Sequence, residues 1–275
     1  DGTLDGGYVL LGEMLDGLET ENFVTQFRDG DGILAGVPYR VRKQGERSAG
    51  SIAMVREVIW LQLLNQGTRV WAIAVADAHS VWGNGVGGWR TYVPSSTDNP
   101  SKVDWRELSR KSKEGQMVLT TGPFLNVTAN GALPGADIEA REVSLDVTVQ
   151  CTDWIDIDRV QVLVNGRQRP DLNFTRKSHP EMFRDGVMKF NQSLKVKLEK
   201  DSHLIVVAMG ENFDLKAGYG TSDQALMQPC AYHNPIFVDV DGNGFIPNGD
   251  TLGFPLPTKK MKPERVIELI EEAKK

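Results

Sequence analysis

Cysteine and histidine are scarce. Two cysteines and four histidines in 275 residues exclude a four-cysteine zinc ribbon and a multi-bridge disulfide scaffold. A polyhistidine metal site would have to gather His79, His179, His203 and His233, and no two of these stand at ligand spacing. No run approaches the ~18–20 apolar residues of a membrane-spanning helix. Positive charge is not in excess either: the net charge of −6 argues against a nucleic-acid surface. The opening Asp1-Gly2-Thr3 carries neither Met nor a secretory leader, and reads as the start of a processed or truncated piece. The remaining composition, 40% hydrophobic and 25% charged, is that of a soluble globular protein, with length for one large domain or two ordinary ones.

Local patterns divide the chain. Residues 1–50 are rich in Gly and Asp turns, with Tyr8 to Leu18 as one short amphipathic helix and Gly36 to Gly50 as loop. Ser51 is a good N-cap for a helix with Val55, Val58, Ile59, Leu63 and Leu64 on one face and Gly67 as its stop. Arg69 to Ala76 is a continuous apolar run of strand length, the signature of a buried parallel strand. A further helix is expected from Asp104 to Glu114, with Asp104 as N-cap, Glu107 as its capping-box partner and Gly115 as stop. After residue 115 the rhythm changes to short alternating strands: 117–121, 124–127, 143–149, 160–164, 190–198, 204–209 and 236–240. Asn165-Gly166 marks a hairpin. Strands without intervening helices predict an antiparallel, Ig-like β-sandwich. The expected organisation is an α/β part over 1–115, a β-sandwich over 116–258 and an amphipathic helix over 259–275.

Asp77-Ala78-His79 follows the buried strand directly. Residues i and i+2 of a strand point the same way, so a carboxylate and an imidazole project together from a strand's C-terminal end. That end is where α/β folds place active sites, and the donor pair suits a divalent transition metal. The other reading is a capping Asp with a surface His. The longer string runs from Asp77-Ala78-His79-Ser80 through Gly83-Asn84-Gly85 to Arg90-Thr91-Tyr92-Val93, a helix, and Thr120-Thr121-Gly122-Pro123-Phe124. It resembles the PHP (polymerase and histidinol phosphatase) superfamily of metallohydrolases, more narrowly the CehA/McbA family. The likeness is best over residues 50–135 and looser around Asp5-Gly6-Gly7 and Asp16-Gly17-Leu18-Glu19.

The resemblance implies a distorted (β/α)7 barrel holding two or three zinc, manganese or iron ions, which hydrolyses phosphoester or amide and carbamate bonds. Asp77 and His79 would match the closing ligand pair, and Glu19 an acidic residue at the end of an earlier strand. Arg90 would orient an anionic group or anchor a loop. The family's opening His-x-His has no match here. His179 reads as a solvent-facing loop residue, His203 as a structural residue at a strand start, and His233 as part of a turn. The chain therefore reads as the C-terminal portion of such an enzyme, inactive alone.

Asp239-Val240-Asp241-Gly242-Asn243-Gly244-Phe245 with Asp250 at position 12 has calcium-loop spacing. Side-chain oxygens of Asp239, Asp241, Asn243 and Asp250, with the Phe245 carbonyl, supply most of the six to eight donors calcium needs. Ile246 would anchor this loop on the core. An Asx/Gly-rich turn without an ion is the other reading. Three functions follow: part of a metallohydrolase acting on a small molecule, a non-catalytic calcium-stabilised binding or structural protein, or a pseudoenzyme. A calcium loop with a Cys151–Cys230 bridge would favour an extracytoplasmic place; two buried thiols are the other reading of those cysteines.

Overall fold

The computed structural model describes residues 17–19, 39–41, 52–54, 56–76 and 88–253. The chain is a β-rich α/β protein, with three α-helices among the described residues: α1 (Arg56–Asn65), α2 (Trp105–Lys113) and α3 (Lys216–Tyr219). Three short strands come first, β1 (Gly17–Glu19), β2 (Tyr39–Val41) and β3 (Ile52–Met54), and β4 (Trp71–Ile73) follows α1. An eight-stranded sheet is built from β5 (Arg90–Tyr92), β6 (Val118–Thr120), β8 (Asp137–Glu139), β10 (Arg159–Val164), β11 (Arg167–Thr175), β13 (Ser202–Met209), β14 (Cys230–His233) and β15 (Ile236–Asp239). β7 (Phe124–Ala129), β9 (Glu142–Gln150) and β12 (Met188–Lys197) form a three-stranded sheet.

Strand β13 organises the molecule. All eight of its residues are buried. Leu204, Val206 and Ala208 join the core shared with the three-stranded sheet. Ile205, Val207 and Met209 face the opposite way, into the core formed with α1 and β4. Period-2 alternation thus feeds two cores from one strand, and this is why Leu204 to Met209 is an unbroken apolar run. In β9, by contrast, Val143, Leu145, Val147 and Val149 are buried while the alternate residues are not. That sheet covers a core on one face only.

Helix α1 is enclosed all round: Glu57 to Asn65 are all buried, the polar Glu57, Gln62 and Asn65 among them. Val58 to Leu64 are buried, and Trp60 donates its indole N–H to the Val70 carbonyl at 2.9 Å. The helix starts at Arg56, not at Ser51, because Ile52–Met54 pairs antiparallel with Tyr39–Val41. That pairing also places a strand inside the expected 36–50 loop. Gly17 and Leu18, expected at the end of a helix, lie in a strand instead; residues 8–16 of that helix fall outside the described residues, as does all of 259–275.

In α2 the Asp104 carboxylate accepts from the Arg106 amide at 2.9 Å. Glu107 is not the capping-box partner. It accepts instead from the Ser96 amide and hydroxyl, and pairs with Lys111 at 2.6 Å. Gly115 ends the helix at φ +74, and a Cβ there would meet the Trp71 ring at 2.7 Å. The Asn165-Gly166 hairpin has both residues at positive φ, 53 and 75, as a type I′ turn requires.

Three further differences have clear causes. β8 pairs with β15 in parallel, the one parallel ladder of the eight-stranded sheet, while the other ladders of both larger sheets are antiparallel. β5 pairs with β6, so this sheet takes an edge strand from before residue 116. Cys151 and Cys230 are free buried thiols that belong to different cores. No disulfide joins them, and burial pushes the Cys151 thiol up to about 12 and the Cys230 thiol up as well.

His203 and His233 are fully buried. His233 closes strand β14 rather than occupying a turn. Its Nδ1 lies 2.5 Å from the Asn234 carbonyl, and its Nε2 accepts the Val206 amide at 2.9 Å. That pairing specifies the neutral ring with its proton on Nδ1. Burial pulls His203 down to about 3 and His233 to about 4, the Asn234 carbonyl opposing the latter shift. Both values lie below the ordinary 6.5, so the unfolded chain takes up protons first as pH falls. Stability is therefore full above about pH 6.5 and declines towards pH 4 and below, by on the order of 1 kcal/mol per pH unit per histidine. Urea unfolding at pH 7.5 and pH 5 should show a lower midpoint at pH 5. His233→Asn should lessen that drop, and equal drops in both proteins would contradict this account.

Candidate functional site

Two places hold the expected site residues. The first is the C-terminal end of β4. This strand pairs in parallel with β1, in the register Gly17↔Trp71, Leu18↔Ala72 and Glu19↔Ile73. Glu19 therefore closes β1 beside the residue four positions before Asp77. Asp77 and His79 lie outside the described residues. The described chain reaches Ala76 and resumes at Gly88.

The opposite edge of β4 is met by side chains. Asn234 accepts the Ala72 amide on Oδ1 at 2.7 Å and donates from Nδ2 to the Ala72 carbonyl at 3.1 Å. The Thr91 hydroxyl accepts the Ala74 amide and donates to the Ala74 carbonyl, both at 2.9 Å. An open depression of about 760 Å³ lies beside this end, bordered by Ile73, Val75, Trp89, Thr91, Ser112 and Met117. That volume is within the range of small-molecule sites.

Arg90 precedes Thr91 in β5 and so sends its side chain to the other face of the strand. Its guanidinium donates to the Tyr92 hydroxyl from Nε and to the Tyr219 hydroxyl from Nη1, each at 3.0 Å. Burial opposes its charge. The two hydroxyls outweigh that burial and hold the group protonated more firmly than in water. Tyr219 in turn packs edge-on against Trp154, with ring centroids 6.3 Å apart. Together with a contact to the Gly88 carbonyl, these hydroxyls tie Arg90 to its own strand and to α3.

The second place is the acidic loop. Asp239 ends β15, and Asp241 and Asn243 follow in the turn. Asp239 is 7% exposed. Its carboxylate accepts from the amides of Asp241 at 3.2 Å, Gly242 at 2.7 Å and Gly244 at 2.6 Å. Burial would raise its pKa, but the loop amides prevail and hold it below the usual carboxylate range. Asp241 accepts from the amide and side chain of Asn243. Phe245 packs on Phe237 at 5.0 Å, and Arg69 stacks over both rings. Ile246 does not anchor the loop. It is 60% exposed, and the aromatic residue before it takes that role.

Asp250 does not join the cluster. Arg167 grips it with two bonds of 2.5 and 3.0 Å and depresses its pKa. The Leu252 amide adds a third bond. The partner of Asp239 and Asp241 is instead Asp201, and donor oxygens of the three lie within 4.8 Å of one another. Asp201 also accepts the amides of Val240 and Ile246, at 2.8 and 2.7 Å. Sequence reading missed it because it precedes the loop by 38 positions. The antiparallel register Ser202↔Val238 carries Asp201 to Asp239, so recognising that β13 pairs with β15 would have found it.

The other histidines are committed elsewhere. His203 Nε2 lies 2.9 Å from Asn65 Oδ1, and His179 Nδ1 lies 2.8 Å from the Ser178 hydroxyl. His179 is half-buried, its ring edge-on to Phe174. Among the described residues no helix is long and apolar enough to cross a membrane. The chain matches no protein-family model, no curated protein and no solved structure.

Proposed function

We propose that this chain is the C-terminal portion of a metal-dependent hydrolase of the PHP, CehA/McbA type. In this reading β1 and β4 are neighbouring strands of the (β/α)7 barrel, and the two larger sheets are an accessory Ig-like sandwich. The observation that carries the reading is the parallel β1–β4 ladder, which sets Glu19 next to the strand leading to Asp77 and His79. Parallel strands gather ligands at their C-terminal ends. The adjoining depression offers room for a small-molecule substrate.

A catalytic metal takes four or more donors and an open position, and the resemblance assigns Asp77, His79 and Glu19 as three of them. His203 and His233 are fully buried and hydrogen-bonded within the sheet layers, and cannot be recruited without dismantling them. Bound zinc, manganese or iron would supply an activated water for phosphoester or amide hydrolysis. In this reading the chain alone is inactive. Manganese titration should show weak binding that Asp77→Ala and His79→Ala each reduce by about tenfold or more. The product of the complete gene should hydrolyse phosphoesters or amides, and Asp77→Ala should abolish turnover. Wild-type turnover in Asp77→Ala would refute the assignment.

A second reading concerns the acidic loop, and the convergence of Asp201, Asp239 and Asp241 supports it. Three like charges this close repel, and a hard cation would relieve them. Calcium there would brace the junction between β13 and β15, a structural role independent of catalysis. Calcium at about 100 times its dissociation constant should raise the melting temperature by roughly 5–10 °C. Asp201→Asn should remove most of that shift and Asp250→Asn should keep it. An unchanged wild-type melting temperature would defeat the calcium reading.

A further inference from the structure

Strand β7 is the edge of the three-stranded sheet, paired with β9 on one side only. Ala129 exchanges both its amide and its carbonyl with Ala132 in the turn that follows, so its peptide groups point away from β9. In an antiparallel strand that direction repeats every second residue. Leu125 and Val127 therefore turn their N–H and C=O groups to the same outer edge, where no strand pairs with them among the described residues. Both residues are buried, and a buried peptide group without a partner is costly. At the outer edge of β4 the Asn234 carboxamide meets the equivalent groups of Ala72, because a carboxamide has the hydrogen-bonding capacity of a peptide unit.

A slot of about 130 Å³ lies along the outer edge of β7 and touches Leu125, Asn126 and Val127 in succession. The side chains of Leu125 and Val127 enter the core and that of Asn126 faces out. A slot that meets all three residues thus meets the strand at its backbone edge. Its remaining walls include Tyr92, Met117, Phe124 and Leu133. The Tyr92 and Phe124 rings stand 5.9 Å apart, and Phe124 is 49% exposed, an apolar surface that a ligand would cover. Among the described residues no charged side chain lines the slot, which favours a neutral occupant. The volume is close to the ~150 Å³ of a cavity that takes one benzene ring. Apolar walls with a few fixed backbone donors and acceptors are the make-up of a small-molecule site.

We propose that this slot binds a single aromatic ring bearing a carboxamide. The ring lies among Tyr92, Met117 and Phe124, and the amide completes the edge of β7 as Asn234 completes that of β4. The site uses neither Asp77 nor His79 and stands without the metallohydrolase reading.

Benzamide is the probe, titrated into the isotopically labelled chain while amide signals are followed. Shifts should be largest at Leu125 and Val127, with the buried strand β13 unmoved. Methyl benzoate, which lacks the N–H donor, should bind about tenfold more weakly, and Phe124→Ala should weaken benzamide by a similar factor. Leu133→Trp, which fills the slot from its rim, should abolish binding and keeps the test decisive if Phe124→Ala does not fold. No shift at Leu125 and Val127 up to the solubility limit of benzamide, or undiminished binding in Leu133→Trp, would overturn the site. Equal affinity for methyl benzoate would overturn the pairing of the amide with the strand edge.

Discussion

The described α/β elements rest on the eight-stranded sheet through a seam of polar contacts in an apolar setting. Asn234 and Thr91 saturate one edge of β4, and α1 fills the space between that strand and the outer face of β13. Apolar packing brings these surfaces together without choosing a register. Hydrogen bonds to specific peptide groups supply the register, because a shift of one residue would strand buried donors. The strand before the proposed metal ligands thus depends on Thr91, 17 positions away, and on Asn234, 162 positions away.

The same side of the sheet holds a second polar network. Asn65, at the end of α1, donates to the carbonyls of Asn165 and Asp250 and meets His203 through its oxygen. Gln62 donates to the Thr251 carbonyl. The helix thereby grips the chain leaving the acidic loop. Arg69, just before β4, stacks on Phe237 and pairs with Asp137. The acidic loop and β4 therefore share Phe237 as a common support, and a cation that ordered the loop would stiffen the ground on which β4 stands.

Much of the β-rich part was legible in the sequence because its signals are local. Alternation in β9, the Asn165-Gly166 turn and the apolar run of β13 each follow from side-chain period or backbone φ. A strand before Asp77 was legible for the same reason, but it spans only Trp71–Ile73 with Ala72 alone buried, and Val75 is 47% exposed; its parallel partner was not legible, since Gly17-Leu18-Glu19 has no apolar period of its own. Glu107 was misplaced because Ser96 and Lys111 offer it better partners than the helix start does. Asp250 was misplaced because Arg167, 83 positions upstream, captures it. Asp201, Asn234 and Thr91 gain their roles only through sheet register, which no single stretch of sequence specifies.

The proposed metal-binding edge lies at the paired ends of β1 and β4. Paramagnetic broadening of amide signals by manganese, in the isotopically labelled chain, locates the ion directly. The account predicts early broadening at Glu19 and Ala74 to Ala76, lost in Asp77→Ala. Broadening confined to Asp201 and Asp239 to Gly244, with Glu19 and Ala74 unaffected, would contradict it.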